Sequence, residues 1–283
     1  MNPLSPLRAC LACGIVTWSL GVAPVGAEEA PRGLVEAALR ESLEQGLGAF
    51  NRGDFEGYLH DMEATVTYNG IAVPRDRLRE INGDLKQSFG NLKMRYKSVT
   101  INRLGELDAN VTTVAEFTGS TANYDATGLP ATYVEVGEVT SRYRRTSQGW
   151  RSGVLQVAWN DSFIDIGRPF SMLGFTSLPA LLGATQPYRF RLHVADDALE
   201  GTRVEYAYTV VPLATVISKD GAEEVYKSLR FLPLPRAGVD LQVKAPSQPG
   251  TYTHVLVVPK LWRRADQETL LGHKIYTRLV QVE

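Results

Sequence analysis

Cysteine is nearly absent from this chain of 283 residues, and its two cysteines, Cys10 and Cys13, lie within an apolar stretch near the N-terminus. Their C-x-x-C spacing would suit a redox or zinc site, but an apolar surrounding is typical of a targeting segment instead. The rest of the chain has no cysteine for disulfides. We therefore expect a hydrophobic core to hold the fold together, and the chain is long enough to build one.

An excess of charge of one sign is also lacking, because 30 Lys and Arg oppose 31 Asp and Glu. This balance provides no basic field for nucleic acid, so we expect no nucleic-acid partner. Gly-rich phosphate loops, the G-x-S-x-G elbow and the H-E-x-x-H zinc pattern are missing as well. The four histidines are scattered: His60, His193, His254 and His273. None has a metal-ligand spacing to another His or to Cys, so we expect neither a metal nor a cofactor.

The first residues have the pattern of a secretory signal. Arg8 supplies the positive charge, and the uncharged stretch Ala9–Val22 supplies the apolar region. Small residues at Val25–Ala27 precede Glu28, where a peptidase could cut. The pattern predicts a signal peptide at residues 1–27 and an exported protein, periplasmic or secreted. A membrane anchor is the alternative, but the apolar stretch is shorter than the roughly 20 residues of a spanning helix, so we expect membrane contact only during export.

An amphipathic helix, a tight turn, a second short helix and a strand are predicted between Leu34 and Tyr68. Apolar residues at positions 35, 39, 43, 47 and 50 form one stripe, and the turn residues Asn51–Asp54 end the helix. A third helix is predicted over Arg75–Phe89. Alternating residues then predict long antiparallel strands, with a bulge near Ser98. Three helices followed by a curved antiparallel sheet form an α+β pattern.

Two motifs in this half resemble one known family. Ala49-Phe50, followed after two residues by Gly53-Asp54-Phe55, resembles the link between the first two helices of NTF2-like (SnoaL-like) domains. Tyr143–Arg151 (YRRTSQGWR) resembles the last hairpin of that family. The resemblance covers residues 33–161 and implies a cone-shaped domain, in which three helices and a curved antiparallel sheet enclose an apolar cavity. It also implies that a homodimer can form through the open sheet face.

The same resemblance implies where functional residues would lie. Enzymes of the family place acidic, histidine or tyrosine side chains in the cavity, and a buried carboxylate with a raised pKa can move a proton next to a carbonyl. If the protein is an enzyme, the catalytic candidates are Asp61, His60 and Tyr68. The ligand-binding candidates are Tyr58, Glu116, Glu138 and Trp159. Purely structural roles stay open for all of them, as a helix-end histidine, a turn-bonding acid, an ion-paired strand glutamate or a core aromatic.

The C-terminal half shows a different pattern. Gly and Pro punctuate residues 162–187, which are predicted to be a linker. From Tyr188 the helical period disappears, and short alternating segments predict strands, among them Ser228–Leu234. Their near-regular spacing predicts an all-β sandwich over residues 188–283. Val243–Tyr252 (VKAPSQPGTY) resembles a turn of immunoglobulin-like bacterial modules, which bind, space or dock and rarely catalyse.

Two functions follow as alternatives. The first is an exported two-domain binding or accessory protein that holds a small apolar molecule or a segment of a protein partner in its cavity. The second is an isomerase, dehydratase or cyclase without a cofactor, in which a pocket carboxylate acts as general base and Tyr68 polarises a carbonyl. The sequence shows no complete catalytic constellation, which favours binding.

Overall fold

The structure is a computed structural model that describes residues 32–124, 127–147, 149–170, 172–173, 181–182, 187–194, 201–218, 220–244, 251–264 and 269–282. The predicted signal peptide, parts of the predicted linker and most of the immunoglobulin-like turn segment lie outside these residues. The chain divides into two compact units. Of the described residues, those in the ranges 32–119 and 135–158 belong to the N-terminal unit, and those in the range 120–134 and from 159 onward belong to the C-terminal unit.

The helices of the N-terminal unit form where the sequence predicts them. They are α1 (Arg32–Arg52), α2 (Phe55–Leu59) and α3 (Arg75–Ser88). The apolar stripe of α1 packs inward, and its members Leu39 and Phe50 are fully buried. Gly53 ends α1 with a positive φ of 81°, which a glycine adopts without strain. The carboxylate of Asp54 then caps α2 by accepting a hydrogen bond from the backbone N–H of Gly57 at 2.8 Å.

The strands that lie wholly or partly in this unit are β1 (Met62–Tyr68), β2 (Ile71–Pro74), β3 (Lys93–Leu104), β4 (Asp108–Tyr124), β5 (Leu129–Thr146) and β6 (Gly149–Gly167). Their order is β2-β1-β6-β5-β4-β3, with β1 parallel to β6 and antiparallel to β2. The register of β3 against β4 shifts between Tyr96 and Ser98, which confirms the predicted bulge. The predicted α+β pattern of the N-terminal half is therefore present.

The C-terminal unit adds the strands β7 (Met172–Leu173), β8 (Leu181–Leu182), β9 (Tyr188–Val194), β10 (Thr202–Pro212), β11 (Leu232–Pro233), β12 (Val239–Val243), β13 (Tyr252–Arg263) and β14 (Leu270–Val282). One sheet has the order β11-β10-β13-β14-β6, and the other has the order β12-β9-β7. Side chains of both sheets, such as Phe190, Leu241, Tyr206 and Val257, share one hydrophobic core. The described part of this unit therefore contains two packed β-layers, which agrees with the coarse prediction.

Two short helices correct the expectation of an all-β C-terminal half. They are α4 (Leu213–Ile217) and α5 (Gly221–Ser228). The predicted strand Ser228–Leu234 is wrong, because α5 ends at Ser228 and only Leu232–Pro233 is extended. Helices of this length show too few turns for a 3.6-residue period to be visible in the sequence. In addition, β6 continues to Gly167, so the predicted domain end at residue 161 falls within a strand.

Gly167 should tolerate no side chain. Its φ is +73°, and a Cβ atom there would lie 2.5 Å from the carbonyl oxygen of Leu271. We expect Gly167→Ala to lower the free energy of unfolding by about 1–3 kcal/mol, from left-handed strain and the backbone clash together. Gly83→Ala is the matched control, because Gly83 lies within α3 with open space around it. That change should stabilise by up to about 1 kcal/mol. Urea denaturation measures both, and equal effects of the two substitutions would contradict the prediction.

Candidate functional site

Asp61 lies at the turn where α2 gives way to β1. Tyr58 and Leu59 anchor α2 in the core, His60 is its C-cap residue, and β1 begins one residue after Asp61. The backbone N–H of Ser152 in β6 donates to the carbonyl oxygen of Asp61 at 2.9 Å. The turn is therefore held between a packed helix and a strand, and it has little freedom to move.

The side chains of His60 and Asp61 form a dyad. Nδ1 of His60 lies 3.0 Å from Oδ1 of Asp61. The Asp61 side chain is completely buried, whereas the His60 side chain is 55% exposed. The second carboxylate oxygen, Oδ2 of Asp61, is buried and has no hydrogen-bond partner among the described residues. A buried, half-satisfied carboxylate is costly, and such costs concentrate at functional sites.

Burial dominates the electrostatics of Asp61. It raises the pKa of this carboxyl from 3.8 to about 6, against the opposing effects of the His60 hydrogen bond and the Arg151 charge. Burial also raises the pKa of Tyr143, and the negative charge of Asp61 adds to that rise. Asp61 therefore titrates close to neutral pH, where small changes of acidity alter its charge.

Arg151 connects the dyad to an open groove. Its Nη1 lies 4.0 Å from Oδ1 of Asp61 and donates a hydrogen bond to the carbonyl oxygen of His60. The groove has a volume of about 550 Å³. The described residues that line it are Met62, Glu63, Ala64, Arg75, Thr146, Ser147 and Arg151. Met62, which follows Asp61 in the chain, and Arg151, which contacts the dyad, therefore both line the groove.

The interior predicted to be a cavity is packed with aromatic rings in its described part. Phe50 stands edge-on to Tyr58 and to Phe117, with ring centroids 5.0 and 5.3 Å apart. The hydroxyl of Tyr58 points to the sulfur of Met94 at 4.0 Å. Tyr68 is also buried, in β1 beside Leu155. Neither Tyr58 nor Tyr68 is among the described residues that line the groove.

The other predicted ligand-binding residues are Glu116, Glu138 and Trp159. Glu116 accepts hydrogen bonds from Arg95 and Lys97 on β3, which lower its pKa. Its neighbour Phe117 packs on Phe50, so Glu116 lies on the opposite face of β4. Glu138 is half-buried, and it alternates with the buried residues of β5. Trp159 belongs to the C-terminal unit. The structure therefore brings together His60 and Asp61 from the predicted set.

Two residues of the site, Arg151 and Arg75, were absent from the sequence prediction. Arg151 stands at the end of the hairpin motif that resembles the NTF2-like family, which is the one signal that could have drawn attention to it. Arg75 was recognised only as the start of a helix. Their convergence depends on the parallel pairing of β1 with β6, a contact between residues far apart in sequence.

Within the described ranges, no group of three or more His, Cys, Asp or Glu side chains is arranged to hold a metal ion. Among the helices that the structure describes, none combines the length and the apolar character needed to cross a membrane.

Known proteins resemble the chain only in part. No protein-family model and no curated protein matches it. LinA is similar, with 14% sequence identity and a TM-score of 0.36 over 44% of this chain and 86% of that chain. An NTF2-like protein of unknown function from Pseudomonas putida shows 13% identity and a TM-score of 0.35 over 44% of this chain and 86% of its own. Kfla4162 from Kribbella flavida shows 12% identity and a TM-score of 0.37, with coverages of 44% and 90%.

Proposed function

We propose that the protein is a cofactor-free proton-transfer enzyme of the isomerase, dehydratase or cyclase kind, with His60 as its general base. The observation that carries this proposal is the 3.0 Å contact between a half-exposed imidazole and a fully buried carboxylate, on two residues that both contact Arg151, a residue that lines an open groove. Asp61 cannot touch a substrate itself, because its side chain is completely buried. It is a positioning residue for His60.

The geometry defines the roles of the two dyad residues. An ionised Asp61 accepts a hydrogen bond, so Nδ1 of His60 carries the proton and Nε2 presents a lone pair. Nε2 takes a proton from the carbon next to a substrate carbonyl, the C–H bond breaks, and the electron pair moves onto the carbonyl oxygen. The charge of Asp61 stabilises the imidazolium that forms. The guanidinium of Arg151 is the groove cation that can stabilise the developing oxyanion.

The second half of the reaction distinguishes the classes. In an isomerase, the enolate is conjugated with a carbon–carbon double bond of the substrate. The imidazolium returns the proton to the far carbon of that double bond, the double bond moves next to the carbonyl carbon, and the carbonyl forms again. In a dehydratase, the imidazolium protonates a hydroxyl group on the next carbon, which leaves as water while the carbon–carbon double bond forms. Both cycles restore neutral His60 and consume no cofactor.

Exchange of α-protons in heavy water tests the proposal without knowledge of the substrate. A panel of small ketones and β-hydroxy carbonyl compounds would be followed by proton NMR. We expect exchange with the unmodified protein, a rate that rises through about pH 6 as Asp61 ionises, and a loss of at least about 100-fold in His60→Ala. His193→Ala, a half-buried histidine of β9, is the control. Exchange that is absent, or that survives in His60→Ala, would reject the proposal.

Binding without reaction is the second candidate, and the packed interior changes where it would occur. Phe50 packs edge-on against Tyr58 and Phe117 in the interior where a small apolar ligand was expected, so we place the ligand in the groove instead. The two packed sheets of the C-terminal unit support an immunoglobulin-like sandwich that docks a protein partner. Both candidates are proposed for an exported protein, on the strength of the pattern in residues 1–27. The NMR panel separates them, because a binder shifts resonances without exchanging protons.

A further inference from the structure

The groove beside the dyad carries an excess of positive charge. Arg75 and Arg151 line it, and Glu63 is the acidic residue among its described lining residues. Glu63 forms an ion pair with Arg144, which donates a hydrogen bond to its Oε1 at 3.2 Å. Arg151 lies 4.0 Å from the carboxylate of Asp61, so Arg75 is the groove guanidinium on which an added anion would depend.

Arg75 has no carboxylate partner within 4 Å among the described residues. Its one hydrogen bond in the described structure runs from Nη1 to the carbonyl oxygen of Met62 at 3.4 Å, which is long for such a contact. The next arginines of α3 differ, since Arg77 lies 2.9 Å from Glu80 and Arg79 lies 2.6 Å from Asp76. A half-buried guanidinium with five donors and one weak acceptor suits an external anion.

We propose that the groove binds a small molecule through an oxyanion group, a carboxylate or a phosphate, held by Arg75 with support from Arg151. The inference rests on the proposed function and names its substrate class: a carbonyl compound that also carries an acid group. The hydroxyl-bearing Thr146 and Ser147 border the same groove, and Met62 and Ala64 add an apolar flank for the carbon skeleton. Planar guanidinium groups match carboxylate and phosphate in geometry as well as in charge.

Three simple probes separate the charge from the carbon skeleton. Benzoate and benzamide have the same shape and differ in charge, and inorganic phosphate supplies charge alone. Titrations followed by NMR or calorimetry should show benzoate binding at least about tenfold more tightly than benzamide, because charge-assisted hydrogen bonds are roughly twice as strong as neutral ones. Phosphate binding at the same residues would identify a phosphate substrate, and binding of benzoate alone would identify a carboxylate.

Substitutions in α3 test whether Arg75 holds the anion. Arg75→Gln should weaken benzoate binding by about tenfold or more, whereas Arg75→Lys keeps the charge, loses the planar fork and should fall between Gln and Arg. Arg79→Gln is the matched control, with the same charge change on the same helix, and it should leave affinity within about twofold. Equal binding of benzoate and benzamide, absence of binding by either anion, or equal losses in Arg75→Gln and Arg79→Gln would overturn the inference.

The binding measurement is independent of turnover. Anion binding that depends on Arg75, together with no α-proton exchange, would support the anion site and reject the proton-transfer function. Exchange that depends on His60, together with no preference for benzoate, would support the reaction and reject the anion site.

Discussion

Asp61→Asn is expected to stabilise the folded protein at pH 8 by roughly 3 kcal/mol. Burial raises the pKa of Asp61 from 3.8 in the unfolded chain to about 6 in the fold. Because the pKa of Asp61 rises on folding, protonation of its carboxyl favours the folded state. This contribution to the free energy of unfolding is complete below pH 3.8 and is lost as the pH rises through about 6. Above pH 6 the fold therefore carries the full cost of a buried charge, at about 1.36 kcal/mol per pKa unit. Asparagine has nearly the same shape and no charge.

Urea denaturation at pH 8 and at pH 3.5 measures this effect. The gain in Asp61→Asn should be present at pH 8 and should nearly disappear at pH 3.5, where Asp61 is protonated in the fold as well. Asp76→Asn is the control, because the Asp76 side chain is 75% exposed and paired with Arg79. Its effect should remain within about 0.5 kcal/mol at both pH values. A loss of stability in Asp61→Asn at pH 8 would contradict the prediction, because it would show that the contacts of the carboxylate stabilise the fold by more than its burial costs.

The same substitution should slow α-proton exchange by about 10²–10⁴-fold, because asparagine can hold the wrong tautomer of His60. The inflection of the pH–rate profile near pH 6 should disappear with it, a change that a merely structural role would not cause. His60→Ala combined with Asp61→Asn should be little worse than either change alone, since the two residues act as a unit. A variant that gains stability and loses activity would identify Asp61 as a strained functional residue.

The sequence could reveal the dyad but not its environment. His60 and Asp61 are adjacent in the chain, so a helix-end pattern was enough to single them out. The complete burial of Asp61 and its contact with Arg151 depend on the pairing of β1 with β6, which places Ser152 beside Asp61 and Met62 and which no local pattern records. Local patterns also could not show which face of the sheet each side chain occupies. Two register shifts occur between β3 and β4, and such shifts change which face a side chain occupies. Glu116 was therefore a ligand-binding candidate with an ion-paired strand glutamate as the alternative, and it pairs with Arg95.

Phe50 lies in the interior that was predicted to be a cavity. Its ring stands edge-on to Phe55, Tyr58 and Phe117 at centroid distances of 5.7, 5.0 and 5.3 Å, and it is fully buried. Aromatic side chains were expected along the wall of a cavity, but these rings pack against one another. We expect Phe50→Ala to lower the free energy of unfolding by about 3–5 kcal/mol, from lost burial and from the void that remains. Urea denaturation measures the loss.

The size of that loss decides between a packed and a hollow interior. Leu34→Ala is the control, because Leu34 lies on the same helix with 65% of its surface exposed, and it should change stability by less than about 0.5 kcal/mol. Phe50→Ala should also create an apolar void that binds benzene, as engineered cavities lined by apolar side chains do. A cost below about 1.5 kcal/mol, or benzene binding by the unmodified protein, would mean that room already exists beside Phe50. In that case the apolar ligand cavity expected from the sequence, rather than the polar groove at Arg75 and Arg151, would be the place to look for the natural ligand.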